Sequence, residues 1–210
     1  SGSGSFGSRR LHGMVTGELH SRDGDFPYLD RASLPVVRRV RENADGAASN
    51  LMARVAVTGD RSVLDVTGWI SDTKRGLPGL SGSGSVGERQ EDQIRRIWVR
   101  YGRGGSTLSF SSQWSNLRYL NPGFEIDDEG KTSSNTLRFA RRQSLAAAID
   151  VEGGIDVALD TGEHPSLEGE IRQRSIRSFV VGTISLGRLT ILPSIRGGYI
   201  FRDDRTTSRF

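Results

Sequence analysis

Four ionisable residues in the second half of the chain have the types that acid–base chemistry needs. Asp156, Asp160, Glu163 and His164 offer three carboxylates and an imidazole within one short segment. The sequence contains no Gly-x-Ser-x-Gly elbow, no paired His ligands and no phosphate-binding loop to complete such a site. Because the segment alternates like a strand that ends in a loop, we interpret these residues as its polar and rim residues. The sequence therefore predicts no catalytic residues and no enzyme.

An acidic cluster is the second candidate for chemistry. Asp127, Asp128 and Glu129, with Glu125 nearby, offer the oxygen ligands that Ca²⁺ prefers, but they lack EF-hand spacing. We expect a solvated acidic loop, with a loop calcium site as the alternative. The chain has no Cys, which excludes a disulfide scaffold, a Cys-ligated zinc site and a Cys nucleophile. No metal site is predicted.

Two glycine patterns match the dinucleotide-binding fingerprint in spacing alone. They comprise Gly2, Gly4 and Gly7, and then Gly82, Gly84 and Gly87. That fingerprint needs a preceding strand and a following helix that receives the pyrophosphate. The first pattern has no predicted strand before it, and the second lies in a long Ser/Gly segment. Both are predicted to be flexible loops, and no cofactor is expected.

Arginine dominates the basic residues. Lys and Arg number 29 against 25 Asp and Glu, and Lys74 and Lys131 are the only lysines. The arginines are interleaved with acidic residues rather than gathered in the basic stripe typical of nucleic-acid binding. We therefore expect no nucleic-acid partner. Arginines that line a lumen or contact lipid headgroups, lipopolysaccharide or an anionic chelate are the preferred interpretation.

Alternation of apolar and polar residues runs through most of the chain. Alternating segments begin at Leu11, Leu51, Leu64, Leu108, Leu145 and Leu189. Such alternation places one face of a strand against an apolar medium and the other against a polar one. The pattern predicts an all-β fold with about nine strands of about 10 to 15 residues. Residues 89–101 are predicted as a strand, with a charged helix as the alternative.

Short and long connections between these strands alternate. Glycine-containing segments predict hairpin turns near residues 60, 103, 153 and 187. Long polar connections are predicted at about 21–48, 74–90, 121–134 and 162–169. An antiparallel up-and-down meander with short turns at one end and long loops at the other is typical of outer-membrane barrels. We predict a partial transmembrane β-barrel, with a soluble β-sandwich binding module and a passive porin-like channel as alternatives.

The alternation also assigns the two faces. Apolar positions are predicted to face lipid, namely Leu51, Val55, Leu64, Val66, Ile70, Leu108, Phe110, Leu145 and Ile149. Polar positions are predicted to face a lumen, namely Arg54, Asp65, Ser109, Gln113 and Asp150. Trp69 and Trp98 fall on the polar phase, whereas Trp114, Tyr101, Tyr119 and Tyr199 are candidates for the aromatic girdles of a barrel.

Several short runs resemble a known family when they are taken in order. They are Arg41-Glu42-Asn43-Ala44-Asp45, Ser49-Asn50-Leu51 and Arg75-Gly76-Leu77-Pro78-Gly79, together with Gly4-Ser5-Phe6-Gly7-Ser8 and Asp25-Phe26-Pro27-Tyr28. This order resembles the early barrel of TonB-dependent outer-membrane receptors, in the branch that includes the vitamin B12 receptor. The resemblance covers about the first 120 residues. The remaining residues share with the family only the alternation of strands and hairpin turns.

The resemblance implies a protein of the bacterial outer membrane that imports a scarce ligand such as a cobalamin, a siderophore or another metal chelate. It implies that residues 1–210 are the N-terminal portion of the barrel, without the plug domain, the energy-coupling box or a signal peptide. Complete transporters of this kind have about 22 strands around a plugged lumen. The expected partners are membrane lipid, lipopolysaccharide, the missing plug and strands, and an inner-membrane energy-coupling complex that acts through the plug. No motif identifies the ligand-binding residues.

Overall fold

The fold is built almost entirely from β-strands. The computed structural model describes residues 1–24, 26–31, 34–41, 43–77, 87–167 and 169–204. No α-helix occurs among these residues, and the one helical element is a single 3-10 turn at Pro122–Phe124. No helix in this described part of the chain could cross a membrane.

One large antiparallel sheet contains eleven strands in a meander. Its strands are β1 (Gly2–Gly7), β2 (Leu11–Arg22), β5 (Gly46–Thr58), β6 (Ser62–Gly76), β7 (Arg89–Arg103), β8 (Ser106–Asn121), β9 (Ile126–Ala146), β10 (Ile149–Glu163), β11 (Ile171–Leu186), β12 (Leu189–Ile191) and β13 (Ser194–Asp204). A separate two-stranded sheet pairs β3 (Phe26–Asp30) with β4 (Val37–Arg41). The predicted antiparallel meander is confirmed, as is the strand predicted at residues 89–101.

Tight turns gather at one end of the large sheet, which we call the hairpin end. They lie at residues 8–10, 59–61, 104–105, 147–148 and 187–188. The described residues of the connections 23–45, 77–88, 122–125 and 164–170 lie at the opposite end, which we call the loop end. The turns predicted near residues 60, 103 and 187 are confirmed.

The turn predicted at Gly153-Gly154 is wrong. Both glycines lie inside β10, and the chain reverses at residues 147–148 instead. Gly154 pairs with Phe179 of β11, and a Cβ added at Gly154 would lie 2.6 Å from the Phe179 ring. The glycine therefore provides space for a neighbouring aromatic ring rather than flexibility for a turn.

The long connection predicted at residues 121–134 is also wrong. β9 begins at Ile126, directly after the 3-10 turn, and pairs with β8 from that residue onward. The acidic cluster therefore lies on a strand, because Tyr119 and Arg118 of β8 face Asp128 and Glu129. The seven strands β5 to β11 contain between 13 and 21 residues, so several exceed the predicted length.

The predicted strand count omitted β1. Gly2–Gly7 is predicted as a flexible loop but pairs with β2 along its whole length, with Phe6 opposite Gly13. β12 and β13 both pair with β11 and continue one another across Leu192-Pro193, so these two strands share one position in the sheet. Among the described residues β1 pairs with β2 alone and β13 with β11 alone, so the sheet is open.

Neither face of the large sheet carries a packed hydrophobic core. Among the described residues the buried hydrophobic side chains are Ala44, Ala140, Ala158 and Phe179. The substantial contacts between elements run from each strand to its ladder neighbours, so no second layer covers the described part of the sheet. A β-sandwich would bury one face of this sheet against another sheet.

Candidate functional site: the two faces of the sheet

One face of the sheet presents an apolar band to the surroundings. Its central row crosses seven strands through Val55, Val66, Val99, Phe110, Leu137, Val157 and Ile176, each paired directly with the next. Phe110 is 39% exposed and Ile176 is 50% exposed, so no other described part of the chain covers these two side chains. The predicted separation of apolar and polar side chains onto two faces is confirmed by this register.

The apolar band runs obliquely across the strands. On β5 the band extends from Leu51 to Val57, so its midpoint along the strand is level with Arg54. The row of cross-strand neighbours that starts at Arg54 reaches β10 at Ala158. On β10 the apolar positions extend from Ile149 to Leu159, so their centre at Gly154 lies nearer the hairpin end. Between β5 and β10, which are about 24 Å apart across the sheet, the centre of the band therefore moves by about 13 Å along the strand direction. The band is therefore inclined by about 30° to a line drawn across the sheet at right angles to the strands.

Polar groups replace the band toward the loop end of the same face. Ser112 is 1% exposed, and its hydroxyl donates to Asn135 Oδ1 at 2.5 Å. Arg95 forms an ion pair with Asp72 at 2.9 Å. Trp114 lies at this border and is 49% exposed. Along β8 the face thus changes from apolar to polar within a few residues.

The opposite face is polar, and charged residues lie side by side across it. A row of direct cross-strand neighbours runs through Asp65, Arg100, Ser109, Arg138, Asp156 and Arg177. Asp65 is 6% exposed, and both of its carboxylate oxygens accept from Arg54 Nε at 3.0 Å. A buried carboxylate held by a guanidinium in this way orients both side chains.

Two arginines of the polar face stack on aromatic rings. Arg138 lies 4.3 Å from the centre of the buried Phe179 ring, which itself packs against Gly154. Arg96 lies 5.1 Å from the Trp69 ring and donates from Nε to Gln113 Oε1 at 2.8 Å. Trp69 thus lies on the polar face, as does Trp98, which pairs with Thr67. Stacking of this kind restricts the guanidinium groups to defined positions.

A cavity of about 1070 Å³ opens on the polar face at the hairpin end. Its walls include Arg54, Asp65, Arg100, Ser109, Arg138 and Glu152, which belong to six successive strands from β5 to β10. One depression that contacts six neighbouring strands requires the sheet to curve around it. The polar face is therefore the concave side, and the apolar band is on the convex side.

Two members of the acidic cluster, Asp127 and Glu129, are paired with neighbouring side chains. Arg118 donates from Nε to Asp127 Oδ1 at 2.7 Å, and this bond lowers the pKa of the Asp127 carboxyl. Asn116 donates to Glu129 Oε1 at 2.7 Å, which together with Lys131 lowers the pKa of Glu129. The residues that the structure describes contain no group of three His or acidic side chains arranged to hold a metal ion.

The candidate acid–base residues are not brought together. Asp156 and Asp160 lie on the polar face of β10, whereas Glu163 falls on the other face. Asp160 accepts from Ser134 Oγ at 2.6 Å, and His164 Nδ1 lies 2.6 Å from Ser166 Oγ in the next connection. The first glycine pattern lies on β1, and Gly82 and Gly84 lie outside the described residues.

Two of the resembling runs meet at the loop end. Asn43 Nδ2 donates to the main-chain oxygens of Leu77 and Glu88 at 3.2 and 2.6 Å. Arg89 forms an ion pair with Asp45 at 2.6 Å. Asn43 has a φ of 61°, a left-handed conformation that Asn tolerates better than most residues. These contacts tie the start of β5 to both ends of the 77–88 connection.

No protein-family model matches the sequence, and no curated protein matches it.

Proposed function

We propose that this chain is part of the β-barrel of a TonB-dependent receptor in the bacterial outer membrane. In that setting it takes part in the uptake of a scarce ligand such as a cobalamin, a siderophore or another metal chelate. The observation that carries the proposal is the uncovered apolar band on the convex face, opposite a concave face lined by charged residues. Water does not favour a continuous apolar surface of this extent, whereas the hydrocarbon core of a bilayer does.

The inclination of the band supports a membrane-spanning arrangement. Strands of transmembrane barrels tilt by about 35–45° from the barrel axis, so a band parallel to the membrane crosses them obliquely. The band of this sheet is inclined by about 30°, as derived from its strand register. In a sheet packed against a second sheet, the apolar patch matches the area that the second sheet covers, so no oblique band is required.

Aromatic residues at the borders of the band agree with the same arrangement. Tyr101 and Phe139 lie toward the hairpin end and are 41% and 47% exposed. Trp114 lies at the opposite border. Transmembrane barrels concentrate aromatic residues at both membrane interfaces, where their rings meet the lipid headgroups. Membrane lipid and lipopolysaccharide are accordingly the proposed partners of the convex face.

The transport function rests on the ordered runs that resemble TonB-dependent receptors. In such a receptor a plug domain fills the lumen, and an inner-membrane complex pulls on it. The concave face supports this assignment by its chemistry, because ion pairs such as Arg54–Asp65 suit a hydrated lumen or a polar plug surface. An upstream reading frame that encodes a plug domain is the expected finding. A frame without one would favour a passive porin-like channel.

Lipid contact can be tested with single-tryptophan variants. The chain is reconstituted into vesicles with brominated acyl chains, in one variant that retains Trp114 and another that retains Trp98. Trp114 fluorescence should be quenched strongly, whereas Trp98 on the concave face should be protected. Equal quenching of both residues would contradict the proposed orientation.

A chain that stays monodisperse in plain buffer would overturn the membrane assignment in favour of a soluble binding module.

A further inference from the structure

The concave cavity at the hairpin end carries an excess of positive charge. Six arginines line it, namely Arg54, Arg61, Arg100, Arg103, Arg138 and Arg142. The carboxylates that line it are Asp60, Asp65 and Glu152. A concave surface with low-dielectric walls concentrates the potential of such charges and attracts ions of opposite sign.

The three carboxylates already have basic partners. Asp65 is held by Arg54, Asp60 forms an ion pair with Arg10 at 3.1 Å, and Glu152 lies 3.9 Å from Arg138. They therefore leave other arginines of the cavity uncompensated. Within the described part of the chain, the three that form no ion pair are Arg61, Arg100 and Arg103.

Arg100 occupies the centre of this arrangement. Ser109 lies directly between Arg100 and Arg138 in the same row, so the two arginine backbones are about 10 Å apart. The extended guanidinium of Arg100 can reach a ligand above Ser109, whose hydroxyl offers a further donor. Arg138 is fixed by its stack on Phe179, whereas Arg100 is exposed and unpaired among the described residues.

We propose that this cavity binds a small multivalent oxyanion, with Arg100 as its central ligand. Guanidinium groups pair with the oxygens of phosphate or carboxylate through two parallel hydrogen bonds. A volume of about 1070 Å³ is at the upper end of the range for small-molecule sites and leaves room for bridging water. The bound anion also relieves the mutual repulsion of the three uncompensated arginines. The inference does not rest on the proposed transport function, because it concerns the concave face alone.

The test is a calorimetric titration of the full chain, folded in nonionic detergent, with pyrophosphate and with citrate. Saturable binding of one probe is expected, and the stronger probe identifies phosphate or carboxylate as the preferred group. Arg100→Gln should weaken that binding by about tenfold. The matched control is Arg188→Gln, which removes the same charge from an exposed turn at the hairpin end outside the cavity. The control should change the affinity by less than about twofold.

Three results would overturn the proposal. They are absence of saturable binding of either probe, equal weakening by Arg188→Gln, and unchanged affinity in folded Arg100→Gln. If Arg100→Gln does not fold, Arg103→Gln provides the same measurement, because Arg103 lines the same cavity. If the fluorescence experiment showed no contact of Trp114 with lipid, the result of the anion titration would still stand, because the titration measures binding to the concave face only.

Discussion

Val66 and Thr67 are consecutive residues of β6 that lie on opposite faces of the sheet. Val66 pairs with Val55 and Val99 in the apolar band. Thr67 pairs with Arg54 and Trp98 on the concave face. The two positions share strand, depth and neighbours in sequence, and they differ in the medium that their side chains meet. A charge placed at each of them is therefore compared at nearly the same depth but in a different medium.

In the proposed membrane arrangement, Val66→Arg should destabilise the inserted chain by about 2–4 kcal/mol, because the guanidinium would lie in hydrocarbon near the middle of the band. Thr67→Arg should cost much less, since its side chain meets a hydrated polar face. Urea titrations of both variants in lipid vesicles measure the difference. Equal effects of the two substitutions would show that the assignment of the faces is wrong.

Gly76 is a site where a single methyl group should be costly. A Cβ at this position would collide with the main-chain oxygen of Asn43 and lie 2.6 Å from its Oδ1. The side-chain amide of Asn43 donates hydrogen bonds to the main-chain oxygens of Leu77 and Glu88, so Asn43 cannot move away freely. Gly76→Ala should therefore lower the free energy of unfolding by about 1–3 kcal/mol, as measured by urea titration in detergent micelles.

Gly68→Ala is the matched control for Gly76→Ala on the same strand. A Cβ at Gly68 meets no atom within 4 Å, so the substitution should be neutral or slightly stabilising. A loss of stability at Gly68 that equals the loss at Gly76 would mean that the close approach to Asn43 is not the cause.

The extension of β8 and β9 beyond the apolar band is held together by charged pairs. Arg118 binds Asp127 through two hydrogen bonds of 2.7 and 2.6 Å, and Asn116 and Lys131 bind Glu129. These contacts lower the pKa of Asp127 below its ordinary value of 3.8 and that of Glu129 below 4.5. The pairs are exposed, so their effect should be local to this hairpin.

This extension should lose protection against hydrogen exchange under acid conditions. A carboxyl whose pKa is lowered by folding stabilises the folded state above its unfolded pKa, and this stability is lost as the pH falls through the folded pKa. The protection factors of the amides at residues 116–131 should therefore fall as the pH falls from about 4.5 through the lowered values. The hairpin turn at residues 104–105 provides an internal reference. In Asp127→Asn the acid-dependent loss of protection should be smaller, and an unchanged acid response in this variant would contradict the assignment.

The whole sheet is a curved open surface rather than a closed tube. The predicted odd number of strands would place the first and last strands parallel at closure, but ten strand positions permit an antiparallel closure. The outer edges of β1 and β13 nevertheless pair with no other strand among the described residues. Unpaired backbone groups at such edges cost several kcal/mol apiece in lipid.

The 210-residue chain by itself should therefore form no sealed pore. Single-channel recording in planar bilayers should detect no discrete, stable conductance, and electrophoresis should show no heat-modifiable monomer. In the proposed receptor barrel, co-refolding with the other barrel strands should produce both properties. A stable unit conductance from this chain alone would show that its edges do close.

The all-β meander and its two faces could be predicted from the sequence, because strand periodicity depends only on neighbours along the chain. Val66 and Thr67, for example, are assigned to opposite faces by alternation alone. The turns at residues 59–61, 104–105 and 187–188 followed from local glycines in the same way.

Other features depend on contacts between residues that are distant in sequence. Gly153-Gly154 has the composition of a turn, yet Phe179 of the neighbouring strand requires the space that Gly154 leaves free. Gly2–Gly7 has little strand propensity, and its pairing with β2 supplies the order that its composition lacks. The concave cavity likewise gathers Arg54, Arg100 and Arg138 from three strands. Only the register and curvature of the sheet determine these neighbours, because cross-strand proximity leaves no periodic trace in the sequence of either strand.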